Sequence, residues 1–468
     1  MRLSAASGDR QLPSRLGGGL AGATARLRAI ILRTDERGLA GRMSVTAFLI
    51  RIVNAVIAFA SQVLLARWMG DFDYGVFVFV WSLMILLGNL SCLGFHTSVI
   101  RFIPQFRGEG RFAELRGLLA ASRAFVLTAA TALAALGAAL VWLFAERIAP
   151  YYTVPLLLGA IALPMMALSD LLQGVARAHS WTLAALIPSY ISRPVLLLLV
   201  MATALALGAE PSATTAVLAA LLATALTTLG QAADVARRLS RSLEAGGRDI
   251  RFRFWLSVSL PIFLIEGFFY LVTTADVMMV GVYLRPDDVA VYFATVKTLA
   301  LVHFVYFAIK AGVAQRYAQF SHADPRQLAA FARMTVAWTF WPSVALAAVV
   351  LAVGRPMLEL FGPGFAAGYP LIFPLLAGVV ARAAVGLAES LLTMSGNHNL
   401  CAALYAATLA LNVGLSMLLI PHLGLWGAAI ATAASMGFEA LSLSLAVWLR
   451  LGIVMAVFVP ARIGKVEA

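Results

Sequence analysis

Apolar residues fill this chain in long uninterrupted runs, and the polar positions fall between the runs rather than along one side of them. A helix on the surface of a soluble protein shows apolar residues three and four apart with a charged face opposite. These runs are apolar all round. Because an α-helix needs about 20 apolar residues to cross the hydrocarbon of a bilayer, runs of that length were counted. Twelve occur, at roughly 44–66, 75–102, 118–144, 153–176, 182–207, 213–235, 255–283, 289–315, 328–353, 368–394, 399–420 and 425–449. The pattern predicts an all-α polytopic membrane protein with about twelve transmembrane helices. The stretch VLLARWMGDFDYGVFVFV (63–80) shows how spans are joined, since a Gly and two Asp separate two apolar runs. It reads as a tight turn, with a near-copy at 284–290.

Composition agrees and excludes several classes. The chain is 62% hydrophobic and 12% charged, against about 25% charged in an average globular domain, and its mean hydropathy is +0.90. Cys92 and Cys401 both sit inside apolar runs. They give no disulfide framework and no metal spacing, so neither metal nor cofactor is expected. No Walker A sequence, HExxH, CxxC or GxSxG occurs, which argues against ATP hydrolysis and against an enzyme. A membrane polysaccharide polymerase or ligase would place catalytic Arg and His on a large outer loop. The longest outer loop expected here, about 354–367 with its GPGF turn, offers few candidates.

The net charge of +13 has a topological explanation. Most of the 35 Lys and Arg fall in the N-terminal tail, in the even-numbered connections and at the C-terminal end, whereas the other connections hold only Arg67, Arg147, Arg285 and Arg355. A cytoplasmic excess of basic residues orients membrane helices, so both termini are expected in the cytoplasm. No nucleic-acid partner is needed. Residues 1–42 lack the apolar core of a signal peptide and read as a basic cytoplasmic tail lying on anionic lipid.

Internal similarity supplies the architecture. SQVLLARWMGDFDYGVF (61–77) lies over DVMMVGVYLRPDDVAVY (276–292), RFIPQF (101–106) near QRYAQF (315–320), and SDLLQGVARAHS (169–180) over AESLLTMSGNHN (388–399). Six helices recur. Six is even, so the repeats are parallel and form two lobes around a central cavity that alternates between the two faces. The expected partition is tail 1–42, N-lobe 43–236, basic cytoplasmic linker 237–254, C-lobe 255–450 and C-terminal tail 451–468.

Polar residues within spans are costly in hydrocarbon, about 2.5–3.5 kcal/mol for a mid-span charge, so each should face a partner or water. On span 1, Ser44, Arg51, Asn54, Ala58, Ser61 and Gln62 share a face; on span 7, Ser259, Glu266, Tyr270, Thr273 and Asp276 do. The repeat places Glu266 at the position of Arg51 and Asp276 at that of Ser61, so charges could pair across the cavity. On spans 2 and 8 it carries Asn89 and His96 onto His303 and Lys310, while Lys297 points elsewhere. Structural readings stand beside functional ones. Arg123, Arg333 and Lys310 can snorkel to headgroups. Asp170 and Glu389 lie near Arg177 and Arg382 and suit ion pairs within a lobe; Arg193 suits a bridge to Asp170. His303 suits a hydrogen-bonded packing role, Glu439 either lining or lock, and Arg51 either substrate or Glu266.

The order LLARWMGDFDYGVFVFV, then DVMMVGVYLRPDDVAVYFATVKTL (276–299), then PHLGLWGAAIATAAS (421–435) resembles the polysaccharide-transporter family of oligosaccharide flippases, within the multidrug/oligosaccharidyl-lipid/polysaccharide exporter superfamily. The likeness covers nearly all of the chain after residue 42. It implies a bacterial inner-membrane flippase that turns a polyprenyl-diphosphate-linked oligosaccharide outward for O-antigen or exopolysaccharide assembly, with membrane lipids and a polysaccharide polymerase or chain-length regulator as partners. On that implication Arg51, Asn54, Gln62, Asn89, His96, Tyr270, Lys297, His303 and Lys310 hold diphosphate and sugar hydroxyls, while Asp170, Glu266, Asp276 and Glu389 serve coupling or lobe pairing. The alternative within the superfamily, a multidrug or metabolite cation antiporter, would want a more acidic cavity than Arg51, Lys297 and Lys310 against Glu266 and Asp276.

Overall fold

A computed structural model of the chain describes residues 36–321 and 325–457, which form helices and no strands. Most of the expected tail 1–42 and residues 458–468 lie outside the described residues. The first helix, α1 (Glu36–Ser91), is broken at Gly70, which takes φ 78 and ψ 176. That backbone region is open to glycine and strained for other residues by about 1–3 kcal/mol. A Cβ on Gly70 would meet nothing within 4 Å, so the strain would come from the backbone alone. Gly70→Ala is expected to lower unfolding stability by that amount in a detergent titration; an unchanged midpoint would mean that the turn relaxes freely.

The remaining helices are α2 (Phe95–Gly108), α3 (Phe112–Leu143), α4 (Pro150–Ala178), α5 (Thr182–Ile187), α6 (Arg193–Ala206), α7 (Ala213–Ser242), α8 (Phe252–Tyr283), α9 (Pro286–Ser321), α10 (Pro325–Glu359), α11 (Ile372–Ala383), α12 (Ala388–Met394), α13 (His398–Leu423) and α14 (Leu425–Leu451). Among the described residues eleven helical stretches are long and apolar enough to cross a membrane. One of them, Ile52–Gly108, runs 57 residues through the Gly70 break. The count is therefore compatible with twelve spans.

Two expected spans are not continuous. Span 5 is α5, a π-helical turn at Pro188–Ser192, and α6. Pro188 and Pro194 each remove a backbone donor, and the wide turn absorbs the mismatch. Span 10 is a 3-10 segment, Pro363–Leu371, followed by α11, a break with Gly386 at φ 61, and α12. Most of the outer loop expected at 354–367 is also absent as a loop, because α10 continues to Glu359 and the 3-10 segment begins at Pro363.

The apolar core is divided unevenly. At the end of the molecule carrying Gly70, one cluster draws on both halves of the chain, including Leu65, Tyr74 and Phe77 with Val280, Tyr292 and Phe361. Toward the other end there are two clusters. One holds Phe95, Phe102, Leu115, Leu171 and Trp255; the other holds Tyr306, Tyr317, Leu391, Tyr405 and Val447. The ends are called the hinge end and the linker end below.

Residues 243–251, which join the halves, are strapped to the first. Arg116 donates from Nε to the Gly247 carbonyl at 2.8 Å and from Nη1 to that of Glu244 at 3.2 Å. The Asp249 amide donates to the Ala113 carbonyl at 3.0 Å, and Arg251 reaches buried Glu114 at 3.5 Å. Beside the strap, hydrogen bonds from Arg111 and then Gln105 hold the exposed Glu109 carboxyl below its usual range. Trp255, at the start of α8, is fully buried in the first-half core.

Candidate functional site

Polar side chains gather in three groups, two of them toward the linker end and one where the shared core gives out. The first lies on α1, α2, α4, the span-5 turn and α8. His96 Nε2 stands 3.3 Å from Glu266 Oε2, and Thr97 donates to the same carboxylate oxygen at 2.9 Å. Asp170 has His96, Arg193 and Arg177 within electrostatic range and Asn89 within hydrogen-bonding reach. Tyr270 is in range of Asp170 and Tyr190. Five of the expected site residues thus converge. The π-helical turn supplies Ser189 and Tyr190, and Arg193 follows it. His96 Nδ1, Ser189 Oγ and Arg193 Nε are buried and have no hydrogen-bond partner.

One expectation changes here. Arg193 donates from Nη2 to Ser169 Oγ at 3.0 Å, which is itself bonded to Gln231 at 3.1 Å, and it stays in electrostatic range of Asp170 without forming a bridge to it. Among the described residues Glu266 takes His96 and Thr97 of α2 as partners. The side chain of Arg51, expected opposite Glu266, lies outside the described residues. Asn54 is half-buried on α1, and Gln62 accepts from the Tyr74 hydroxyl at 2.9 Å.

The second group lies within the second half. Lys310 forms an ion pair with Glu389, which also accepts from the Tyr405 hydroxyl. Arg382 pairs with Glu439 at 3.2 Å. The partners are the reverse of those expected from sequence proximity: Glu389 takes Lys310 from α9, and Arg382 takes Glu439 from α14. Lys310 is thereby engaged rather than reaching for headgroups. The Phe269 ring faces both cations, at 5.2 Å from Lys310 and 5.8 Å from Arg382, and the Tyr306 ring lies 4.7 Å from Arg382. His303, Tyr306, Ser343 and Arg382 line a small cavity of ≈ 10 Å³, room for about one water.

The third group marks where the shared core gives out. Asp276 is buried; it accepts from the Val277 amide at 2.8 Å and from the Tyr292 hydroxyl at 3.2 Å, and that hydroxyl also meets Thr432 at 3.2 Å. Asp276 is thus a packed acceptor rather than the exposed edge of a polar stripe. Lys297, in contrast, is exposed. Its ammonium lies 4.7 Å from the Phe293 ring, and Phe293 in turn meets Tyr74 of the first half at 6.4 Å. Asp276 is within electrostatic range of Lys297, yet the two do not form an ion pair. Among the described residues Lys297 forms no ion pair, and it stands beside the aromatic seam that closes the hinge end.

Sequence reasoning found most of the charged members of these groups, with Asn89, His96, Tyr270 and His303, and missed several neutral ones. Thr97, Ser169, Tyr190, Gln231, Phe269 and Tyr405 looked like ordinary span residues. A polar residue every third or fourth position toward the C-terminal ends of α4 and α7 was the one available signal.

The family model described as "Polysaccharide biosynthesis protein" matches residues 42–314. No curated protein matches the chain. Among solved structures, "Lipid II flippase MurJ, inward closed conformation" superposes with a TM-score of 0.67 at 12% identity, over 86% of this chain and 87% of that one. An inward-facing multidrug resistance MATE family transporter of the MOP superfamily gives a TM-score of 0.64 at 14% identity, over 87% and 98%. A MOP superfamily transporter from Pyrococcus furiosus, described by the reverse polarity of its binding pocket, gives 0.59 at 14% identity, over 91% and 97%. At these identities the likeness is one of fold.

Proposed function

Because the chain belongs to the polysaccharide biosynthesis protein family that matches residues 42–314, we propose that it is a flippase for a polyprenyl-diphosphate-linked oligosaccharide of O-antigen or exopolysaccharide assembly. The observation that carries this reading is the divided core, one cluster at the hinge end and two at the linker end. Halves joined at one end and parted at the other enclose a cleft open toward the basic connections. With those connections cytoplasmic, the cleft faces the compartment where such lipids are built, and the chain spans the inner membrane with both termini in the cytoplasm. Residues 43–236 and 255–450 then act as two lobes whose rocking exposes the cleft to one side and then the other.

A diphosphate needs positive charge not already neutralised, and saccharides need planar donors, acceptors and aromatic faces. Exposed Lys297 at the apex of the cleft meets the first need, and Arg51 on α1 is assigned the same role. Lys310 and Arg382 are committed to carboxylates and hold the second lobe together. The cation-antiporter reading fits less well, since Asp276 is sealed in packing and Asp170 already faces Arg177 and Arg193.

The test is translocation of a fluorescent lipid-linked oligosaccharide in proteoliposomes. Wild type is expected to move it across the bilayer. Lys297→Ala and Arg51→Ala are each expected to reduce the rate about tenfold or more, the worth of a hydrogen bond to a charged group, and Lys297→Arg to retain most of it. Gradient-driven export of organic cations with no movement of any polyprenyl-linked sugar would hand the case to the antiporter.

A further inference from the structure

Resting on that reading, we propose that the wall formed by Asn89, His96, Asp170, Tyr190, Glu266 and Tyr270 is a saccharide subsite separate from the diphosphate subsite at Lys297, and that α8 sets the spacing between the two. The two ends of the cleft differ in chemistry. At the apex stands a cation that forms no ion pair among the described residues, over an aromatic ring. The linker-end wall instead brings together two carboxylates, an amide, an imidazole and two phenols, with Arg177 and Arg193 in range of Asp170. A phosphate finds no surplus positive charge there, because the two guanidinium groups already face a carboxylate. A sugar needs none, because a carboxylate accepts from a vicinal pair of hydroxyls, an amide both donates and accepts, and a Tyr ring covers the apolar face of a pyranose.

This wall is also incompletely satisfied. His96 Nδ1, Ser189 Oγ and Arg193 Nε are buried without partners, and buried polar atoms of that kind are met by water or by a ligand. The Glu266 side chain, by contrast, is 42% exposed although His96 and Thr97 hold it. It is thus fixed in direction and still open to a further donor.

One helix relates the subsites. Glu266, Tyr270 and Asp276 all lie on α8, and Asp276 is the acid within range of Lys297. At about 1.5 Å rise per residue, the ten positions from Glu266 to Asp276 span about 15 Å. Tyr270, six positions from Asp276, stands about 9 Å away by the same rise, so one sugar on a diphosphate at the apex reaches no further than Tyr270, and a short oligosaccharide is needed to reach Glu266 and the residues around it. The wall reads the distal sugars, and the transporter discriminates by glycan length and identity there rather than at the phosphates.

The experiment compares two substrates in proteoliposomes, a polyprenyl-diphosphate monosaccharide and the same lipid carrying a tetrasaccharide, each titrated to separate apparent affinity from maximal rate. Asp170→Asn and Glu266→Gln are expected to weaken apparent affinity for the tetrasaccharide about tenfold and to leave the monosaccharide lipid unchanged, whereas Lys297→Ala weakens both. Equal losses on the two substrates from Asp170→Asn and Glu266→Gln, or no loss on either, overturn the subsite. The near-isosteric Glu266→Gln, which can still accept from Thr97, guards against misfolding at Asp170. Failure of wild type to move either lipid overturns the flippase reading instead, so the two failures are distinct.

Discussion

Glu439→Leu is expected to lose about 3–5 kcal/mol of stability, the cost of leaving one member of a buried ion pair uncompensated. Glu439 is 2% exposed and Arg382 8%, with Nε and Oε1 3.2 Å apart. The contact is held by charge rather than by aligned hydrogen bonds, since Arg382 Nη2 and both Glu439 oxygens have no hydrogen-bond partner. Removing the carboxylate strands the guanidinium against the Phe269 and Tyr306 rings, which reward a cation by only about 0.5–2 kcal/mol each. The double substitution Arg382→Met/Glu439→Leu is expected to recover most of the loss, because buried ion pairs replaced by apolar residues of similar volume are often neutral or better. Unfolding midpoints of the purified protein in mild detergent decide this. A single variant as stable as wild type would remove Glu439 as a lock between α11 and α14.

Gly75→Ala is expected to act on conformation as well as stability. A Cβ built on Gly75 would stand 1.7 Å from the Pro286 carbonyl oxygen, and Pro286 opens α9. Backbone cannot yield as a side chain tip can, so the hinge end must part, at about 1–3 kcal/mol for the overpacking. Spin labels at Asp71→Cys and Ala367→Cys report on that seam, with the buried native Cys92 and Cys401 replaced by alanine. The distance distribution is expected to broaden toward longer separations in Gly75→Ala, with transport falling as the seal fails. An unaltered distribution would show that α9 shifts locally instead.

These two sites mark what could be read in the sequence and what could not. Helical runs declare themselves through composition alone, since each span must be apolar regardless of its neighbours. The turn at Gly70 and its near-copy at 284–290 were legible because Gly70 with Asp71 and Asp73, and Pro286 with Asp287 and Asp288, interrupt apolar runs. Pairing was not. Arg382 and Glu389 are seven residues apart and looked like partners, yet the break around Gly386 turns α12 away from α11. Glu439, fifty-seven positions downstream, arrives through the packing of α14. The interruption of span 5 was half-legible from Pro188 and Pro194; that it would be a π-helical turn presenting Ser189 and Tyr190, with Arg193 after it, depends on packing against α1 and α7. The repeat also set Glu266 opposite Arg51, whose side chain lies outside the described residues. Glu266 meets His96 and Thr97, because the beginning of α8 packs on the first half of the chain.

That last placement bears on the tether between the halves. With Arg116 gripping residues 244 and 247, Trp255 fully enclosed and Ser259 bonded to Ser98 at 2.7 Å, the connection has no slack to pay out. Any change in the mutual angle of the halves must then be taken up inside a helix, between Ser259 and the point where Phe268 and Phe269 join the opposite core. Pro261 sits in that interval, where a missing backbone hydrogen bond makes flexure least costly.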